Sequence, residues 1–320
     1  MSETSAPIKI GLFVGREWSW PPAFLEEVNR RTPETGVIAE YMQVGGTLIN
    51  QPVEHRVIVD RISHEVPYYR LYLKHAALHG VKVINDPFMW TADDKFFGAA
   101  LAERVGVAQP RTVALPNKEY VPGIVHNESL RNLKYPIDWD GLVNAVGGFP
   151  CVLKDAHGGG WKEVYIVRDM ADLWDKYNQS GLLSMILQEF IKWDEYARCM
   201  GLGQSEVRVM RYDPNRRYYY PEHGFSDAMY ERLYNDTLKI CRTFGYDMNT
   251  CEFAIRDGVP YAIDFMNPAP DMDVNSLGRT HFEWMVTHMA DMTIRLALST
   301  EETRDRYTWG ELVRSAEKAV

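Results

Sequence analysis

The stretch FPCVLKDAHGGG, residues 149–160, predicts a buried strand that ends in a lysine and turns through three glycines. Such a loop exposes backbone N–H groups, and beside the Lys154 cation they suit a polyphosphate. The order differs from a Walker A loop, because the lysine precedes the glycines and no Lys-Ser or Lys-Thr pair follows them. A flexible turn with a surface lysine explains the same residues equally well, so this stretch leaves both interpretations open.

A second stretch, CEFAIRDGVPYAIDFMN at residues 251–267, alternates large apolar residues with small or acidic ones and predicts a β-hairpin. A three-residue turn at 256–258 would place Glu252 and Asp264 on one face of the hairpin. A two-residue turn at Asp257-Gly258 would place them on opposite faces, because side chains alternate along a strand. The apolar alternation favours the first register.

Two carboxylates on one face, followed closely by an amide, indicate a cation site. Glu252, Asp264 and Asn267 would supply the oxygen ligands that Mg²⁺ prefers. The alternative is a solvated sheet face whose acidic residues keep the edge soluble. Taken alone, the hairpin favours that alternative.

Composition limits the class of protein. The chain has 320 residues, 46% of them hydrophobic, and a net charge of -9, which disfavours nucleic acid as the main partner. No apolar stretch approaches the roughly 20 residues of a membrane helix, and no apolar signal region opens the sequence, so the cytoplasm is the expected location. The cysteines show no zinc spacing, and we interpret them as reduced thiols: Cys151, Cys199, Cys241 and Cys251.

The first third of the chain alternates predicted strands, at residues 9–14, 57–59 and 81–84, with a predicted helix at 66–78. This alternation is typical of a small open α/β domain with a mainly parallel sheet. The segment 60–65 follows a strand end, where open α/β sheets often place ligand contacts. Capping of the next helix by Ser63 is the alternative explanation of that segment.

Further along, residues 91–94 have the spacing of a helix capping box, and Gly106 lies where a C-terminal glycine belongs. Later strands are predicted at 151–153, 163–167 and 185–190, and a strand pair is predicted around residues 201–204. Later helices are predicted at 170–177, 229–244 and from about 282. Residues 116–140 are polar and proline-punctuated, which predicts surface loops.

The ordered set of these residues resembles the ATP-grasp superfamily, most closely its D-alanine–D-alanine ligase and ribosomal-protein glutamate ligase branches. The resemblance covers roughly residues 91–270. It implies a fold of mixed α/β and α+β class, with an open α/β pre-ATP-grasp domain at 1–90. A central ATP-grasp subdomain would span 91–187 and a C-terminal one 188–320.

The resemblance also implies roles for individual residues. Those expected to bind ATP are Lys95, Lys154, His157, Gly158, Gly159, Gly160, Gln188, Glu189, Ile191 and Glu195. The arginines expected to face the phosphates or the acyl phosphate are Arg198 and Arg211. The metal ligands implied are Glu252, Asp264 and Asn267.

The sequence departs from the superfamily pattern in two places. The last motif usually reads Glu-x-Asn, whereas residues 264–267 read Asp-Phe-Met-Asn, with a shorter acid and one extra residue. The adenine position is often glutamate and is Gln188 here, which leaves Glu189 as an alternative. Both departures leave the choice of ligand open.

The activity implied is that of an ATP- and Mg²⁺-dependent carboxylate–amine ligase that works through an acyl phosphate and releases ADP and phosphate. Its partners would be a small-molecule carboxylate and an amine, with amino acids or peptides included, and neither nucleic acid nor a membrane. Homodimerisation stays open. The alternatives are a non-catalytic ATP-binding regulatory module and a small-molecule kinase of the same fold.

Overall fold

The computed structural model describes residues 6–124, 128–160, 162–300 and 307–315. The chain divides into two units. Unit 1 comprises Met1–Thr91, Tyr196–Glu252 and Asn267–Val320, and unit 2 comprises Ala92–Glu195 and Phe253–Met266. The three-part division expected from the sequence stays a prediction.

The described residues form thirteen strands and nine α-helices. The strands are β1 (Ile8–Phe13), β2 (Val37–Tyr41), β3 (Val57–Asp60), β4 (Lys82–Ile84), β5 (Thr112–Ala114), β6 (Cys151–Asp155), β7 (Val164–Val167), β8 (Met185–Glu189), β9 (Glu195–Leu202), β10 (Glu206–Asp213), β11 (Tyr218–Tyr219), β12 (Met248–Arg256) and β13 (Val259–Asp264). The helices are α1 (Trp20–Arg30), α2 (Thr32–Thr35), α3 (Pro67–Leu78), α4 (Lys95–Arg104), α5 (Trp139–Ala145), α6 (Met170–Gln179), α7 (Asp227–Phe244), α8 (Val274–Leu298) and α9 (Trp309–Arg314).

Unit 1 contains a parallel sheet with the strand order β2-β1-β3-β4. Its apolar strand residues are buried, and α3 covers one face through Leu73, which packs with Ile58 and Val83. The predicted open α/β domain is confirmed, with strand ends within a residue or so of those expected. Unit 1 also contains three strands that pair in the order β11-β10-β9.

Helix α1 and strand β2 were not anticipated from the sequence, although each carries a usable signal. Trp20, Phe24 and Val28 are buried at a spacing of four residues, which is the period of one helix face. Pro21 lies in the first turn of α1, where its fixed φ angle suits a helix. In β2, Val37 and Ala39 are buried at the alternating spacing of a strand.

Unit 2 is built on an antiparallel sheet with the order β5-β8-β6-β7. Leu153 of β6 lies opposite Leu187 of β8, and both are fully buried in a core that α6 completes with Leu173. Strands β6 and β8 are antiparallel neighbours in which Lys154 lies opposite Ile186 and Val152 lies opposite Gln188. Lys154 and Gln188 therefore lie close together on one face of the sheet. This arrangement positions the candidate site.

The predicted capping of α4 by residues 91–94 is wrong in its position. Asp94 is the N-cap, and its side chain accepts a hydrogen bond from the Phe97 backbone N–H at 2.7 Å. An aspartate with an extended backbone just before a helix satisfies a donor that the helix itself leaves unpaired. Lys95 is therefore the first helical residue.

The predicted three-residue turn of the hairpin is also wrong. Strand β12 ends at Arg256 and β13 begins at Val259, so the turn has two residues. Asp257 (φ 51°) and Gly258 (φ 72°) are both left-handed. Two left-handed residues form the turn whose twist matches that of the flanking strands. The register argument that placed Glu252 and Asp264 on one face therefore does not hold.

Helix α8 is interrupted at Gly278, whose φ of 70° is not helical. The regular part of α8 therefore begins after Gly278, near the predicted start at residue 282. Among the described residues, the helices include none with the length and apolar character needed to cross a bilayer.

Candidate active site

A pocket of unit 2 is lined by residues from four elements and their adjoining loops. Those that bear on function are Lys95, Gln109, Lys154, Gln188, Asp264 and Met266. Four of these six were expected to bind ATP or Mg²⁺, and the fold brings them together from well-separated parts of the sequence. Gln109 and Met266 were missed, because one glutamine or methionine in a loop has no motif to mark it.

Two lysines supply the positive charge of this pocket. Lys154 is only 6% exposed, and its Nζ donates a hydrogen bond to the Ile263 carbonyl at 2.8 Å. Lys95 donates from its backbone N–H to the Ala156 carbonyl at 2.9 Å and from Nζ to the Gly158 carbonyl. A lysine in the first turn of a helix opposes the helix dipole, and a bound anion offsets that cost. Two ammonium groups against the single carboxylate of Asp264 suit a polyanion.

The glycine loop follows β6 directly. Gly160 has a φ of +65°, and an added Cβ would meet nothing within 4 Å at Gly159 or Gly160. His157 is exposed, and its backbone N–H is held by the Asp155 side chain at 3.0 Å. The loop therefore presents bare backbone beside the two lysines. Its role over a triphosphate stays a prediction.

The end of β8 separates the two candidates for the adenine contact. Gln188 lines the pocket, is buried, and donates from Nε2 to the Thr112 hydroxyl at 2.9 Å. Glu189 is the next residue of the strand, so its side chain points to the other face. Its carboxylate accepts hydrogen bonds from Arg111 at 2.9 Å and Arg256 at 3.0 Å. Burial raises the pKa of Glu189, but these bonds outweigh burial and lower it. Gln188 thus lines the pocket and Glu189 does not, and the adenine contact itself stays a prediction.

The remaining expected nucleotide contacts lie just beyond β8. Ile191 is 4% exposed, and Glu195 is half-buried at the start of β9. Neither belongs to the lining of the lysine pocket. Their roles toward the adenine ring and the ribose stay predictions.

In unit 1, Arg198 is enclosed rather than exposed. Its guanidinium donates to the Glu252 carboxylate at 2.5 Å and to the Tyr219 hydroxyl at 2.6 Å. It also lies 4.9 Å from the centre of the Tyr212 ring, and the Tyr196 hydroxyl donates to Glu252. Burial alone would lower the pKa of Arg198, but the Glu252 carboxylate outweighs burial and raises it. The pair is a buried ion pair.

Arg211 cannot share the environment of Arg198. In the antiparallel ladder of β9 and β10, Met210 lies opposite Arg198 and Arg211 lies opposite Ala197. Residues directly opposite each other share a face and consecutive residues alternate, so the two arginines project from opposite faces of the sheet. Arg211 lies instead 5.7 Å from the centre of the Tyr220 ring. The expected roles of the two arginines toward the phosphates or the acyl phosphate stay predictions.

The expected metal ligands have different surroundings. Asp264 lines the lysine pocket, whereas Glu252 is paired with Arg198. Asn267 is held by its backbone N–H, which donates to the Asn249 side chain at 2.9 Å. In the part of the chain that the structure describes, no three His, Cys, Asp or Glu side chains converge as metal ligands. A magnesium ion bridging phosphates needs only one or two protein carboxylates, and Asp264 fits that requirement.

Comparison with known proteins places this geometry in a wider group. No family model and no curated protein matches the sequence. Solved structures do match. An ATP-grasp protein with a RimK domain from Sphaerobacter thermophilus has 15% identity and a TM-score of 0.66, over 91% of this chain and 100% of that one. The D-alanine–D-alanine ligase of Bacillus anthracis complexed with ATP has 16% identity and a TM-score of 0.59, over 91% and 97%.

A third structure, N5-carboxyaminoimidazole ribonucleotide synthetase of Thermotoga maritima, has 16% identity and a TM-score of 0.62, over 92% of this chain and 77% of that one. The matched proteins differ in substrate, and what they share is the arrangement of their elements. Nine-tenths of this chain follows that arrangement in each case. The chain has the ATP-grasp fold.

Proposed function

We propose that this protein is an ATP-dependent carboxylate–amine ligase that activates a carboxylate as an acyl phosphate and releases ADP and phosphate. The observation that carries the proposal is the convergence of Lys95, Lys154, Gln188 and Asp264 on one pocket of unit 2. Lysines for phosphate, an amide for adenine and a carboxylate for Mg²⁺ are the types of side chain that this chemistry needs.

The proposed reaction balances without a covalent enzyme intermediate. A carboxylate, an ammonium compound and ATP give an amide, ADP, inorganic phosphate and one proton, and a carboxylate oxygen leaves with the phosphate. Bound ATP supplies the γ-phosphoryl group that turns this oxygen into a leaving group. The ammonium groups of Lys95 and Lys154 are fixed in position, so they stabilise the negative charge of the phosphates. Gln188 orients the base through a side chain fixed by its bond to Thr112.

Asp264 is the carboxylate of this chain that we assign to Mg²⁺. It lines the pocket beside both lysines, whereas the Glu252 carboxylate is already bound by Arg198 and Tyr196. Glu252 therefore acts first as the partner of Arg198 in this proposal. A bound magnesium ion would neutralise phosphate charge.

Analysis of the nucleotide product tests the reaction class. ATP is supplied with pools of carboxylic acids, with and without amines, and the nucleotides are separated by chromatography. We expect ADP as the sole nucleotide product, formed faster once the matching amine is added. Hydroxylamine should trap the activated acid as a hydroxamate, because an acyl phosphate reacts with any good nucleophile.

Each other outcome selects a different function. AMP and pyrophosphate would exclude the acyl-phosphate route. A stable phosphorylated product that accumulates without amine would identify a kinase. Tight ATP binding without turnover, across a broad panel of acids and amines, would identify a nucleotide-binding module.

A further inference from the structure

Gln188 of the lysine pocket has a threonine as its cross-strand neighbour. Thr112 of β5 lies directly opposite Gln188 of β8 in the antiparallel ladder. Residues directly opposite each other share a face of the sheet, with their Cβ atoms about 4.5–5.5 Å apart. The two side chains therefore project together. Gln188 is 5% exposed and lines the pocket, whereas Thr112 lies behind it, outside the lining.

Contacts on the opposite face of the sheet fix the register that brings these two residues together. The Glu189 N–H donates to the Arg111 carbonyl at 2.8 Å, and Arg111 Nε donates to the Glu189 carboxylate at 2.9 Å. Leu187, opposite Val113, is fully buried in the core of unit 2. A shift of one residue would separate the ion pair and turn Leu187 out of the core.

The Thr112 hydroxyl has a fixed direction because it makes two hydrogen bonds. Its Oγ1 donates to the Pro110 carbonyl at 2.9 Å, and a hydroxyl has only one hydrogen to give. In its other contact, with Gln188 Nε2 at 2.9 Å, Oγ1 can therefore only accept. Turning the hydroxyl toward Gln188 would take the hydrogen bond away from the carbonyl of a buried residue, which costs free energy.

The threonine therefore decides which end of the Gln188 amide faces it. A glutamine amide carries an acceptor oxygen and a donor NH₂ group of nearly the same size, so hydrogen bonding alone distinguishes its two orientations. With the amide reversed, Oε1 would meet Oγ1, and two acceptors would face each other with no hydrogen between them. Nε2 consequently lies toward Thr112. Oε1 accepts no hydrogen bond from any residue that the structure describes, and it is left for a ligand of the pocket.

An acceptor oxygen at this point distinguishes purines by their six-position. Adenine carries an amino group there, which donates a hydrogen bond, whereas guanine carries an oxygen, which accepts one. Gln188 Oε1 would pair with the amino group and repel the oxygen. A reversed amide would have the opposite preference. The orientation of a single amide therefore separates two classes of nucleotide.

We propose that Thr112 is the positioning residue that gives this pocket its preference for adenine nucleotides over nucleotides with a six-position oxygen. It acts through Gln188 and does not itself touch the nucleotide. This inference rests on the proposed function, since it takes the pocket of Lys95, Lys154 and Gln188 as the nucleotide site. It extends that function by assigning the choice of base to a residue outside the pocket lining.

Equilibrium binding of three nucleotides to the full chain tests the orientation without turnover. The probes are ATP, purine riboside triphosphate, which lacks the six-position amino group, and ITP, which has an oxygen there. Each is titrated by calorimetry with Mg²⁺ and without carboxylate or amine. We expect ATP to bind most tightly and ITP most weakly, with at least about a tenfold difference between them. Tighter binding of ITP than of purine riboside triphosphate would indicate a reversed amide and overturn the proposal.

Two substitutions at Thr112 separate the effect of the hydroxyl from that of side-chain bulk. Thr112→Val removes the hydroxyl and keeps the branched shape, so the amide becomes free to reverse. The ratio of the ITP to the ATP dissociation constant should then fall at least about fivefold. Thr112→Ser keeps the hydroxyl and should keep the wild-type ratio. Thr32→Val is the matched control, because Thr32 is also half-buried and donates to one carbonyl, that of Val37, at 2.7 Å.

A second substitution at Gln188 tests the same mechanism by rescue. Glutamate offers an acceptor oxygen in either orientation, so Thr112→Val/Gln188→Glu should return the ratio toward that of the wild type. A ratio that stays low in this double variant would contradict the role of amide orientation. Thermal melting checks that each variant folds. If Thr112→Val does not fold, Thr112→Ala gives the same comparison with a smaller side chain.

The outcomes separate this proposal from the proposed function. An unchanged ratio in Thr112→Val, or an equal loss of affinity for all three nucleotides, would overturn the role of Thr112 and leave the ligase proposal intact. If Thr112 controls the ratio but no acid or amine leads to ADP, the positioning role stands and the ligase proposal fails. If none of the three nucleotides binds the wild type, both fail together.

Discussion

Two cavities of this chain, the lysine pocket of unit 2 and the cavity at the carboxyl ends of β1 and β3 in unit 1, have opposite electrostatic character. The pocket in unit 2 sets two lysines against one carboxylate, and the cavity in unit 1 sets four carboxylates against two arginines. Both occur in a chain of net charge -9. Net charge therefore does not predict the charge of a local surface, which the arrangement of side chains sets separately in each unit.

The cavities also hold their charges differently. In unit 2, Lys95 and Lys154 donate hydrogen bonds from their ammonium groups to backbone carbonyls. In unit 1, Arg61 is paired with a carboxylate and keeps one unsatisfied N–H. The two units therefore hold these cations differently, one at backbone carbonyls and the other at a carboxylate.

The largest effect is expected from a substitution that removes the carboxylate of the lysine pocket. Asp264→Asn should abolish ATP turnover with the fold intact, because an amide is a neutral and weaker ligand for Mg²⁺. The measurement is ADP release over a magnesium titration, with circular dichroism as the check of folding. Asp257→Asn, in the exposed turn of the same hairpin, is the control. Wild-type activity of Asp264→Asn would contradict the metal assignment.

Removing a cation from the same pocket should have the next largest effect. Lys154→Met keeps much of the apolar stem and deletes the charge, and we expect turnover to fall about 10²–10³-fold, as for other preorganised charge-stabilising groups. Steady-state kinetics and nucleotide binding measure the loss. Lys192→Met, at an exposed position, should leave both unchanged. Equal effects of the two substitutions would mean that Lys154 does not act on phosphate.

Substitutions in the Arg198–Glu252 pair test whether these buried charges of unit 1 stabilise the fold. Glu252→Gln leaves a largely buried guanidinium without its carboxylate, which should cost about 3–5 kcal/mol of unfolding free energy. Denaturant titration measures this loss. The double variant Arg198→Met/Glu252→Gln should recover most of it, because no charge is then buried alone. A Glu252→Gln variant of full stability that has lost only its magnesium dependence would restore Glu252 as a metal ligand.

The smallest expected effect concerns pH and the acidic cavity. Burial lowers the pKa of His64, although Glu65 and Asp60 act in the opposite direction. The folded protein thus disfavours protonated His64, and the unfolded chain takes up that proton near its ordinary pKa of about 6.5. Stability should fall as the pH drops below that value.

His64→Gln should remove this part of the pH dependence. Denaturation midpoints at pH 7.5 and 5.5 provide the measurement, with His79→Gln at the exposed end of α3 as the control for loss of an imidazole. An unchanged difference between the two pH values in His64→Gln would show that His64 is not the titrating group.

Comparison of sequence and structure shows which signals were reliable. The parallel strands and α3 were predicted, because buried apolar runs and a helical period are local properties of the chain. The N-cap of α4 and the turn of the hairpin were not predicted correctly, although the residues that form them, Asp94 and Asp257-Gly258, are present in the sequence. Several residues nearby could have served either purpose, and packing selected one.

The candidate site divides in the same way. The sequence by itself determined which side chains are available: Lys154 before a glycine loop, Gln188 at a strand end, and Asp264 in a hairpin. Only the tertiary structure decided that these three line one pocket, that Arg198 and Arg211 project from opposite faces, and that Glu17 and Arg61 meet across 44 residues of sequence. The physical reason is that the chemistry of a side chain depends only on the residue type, which the sequence specifies directly. Pairing across sheets depends on register and turn length, where a change of one residue reverses a face.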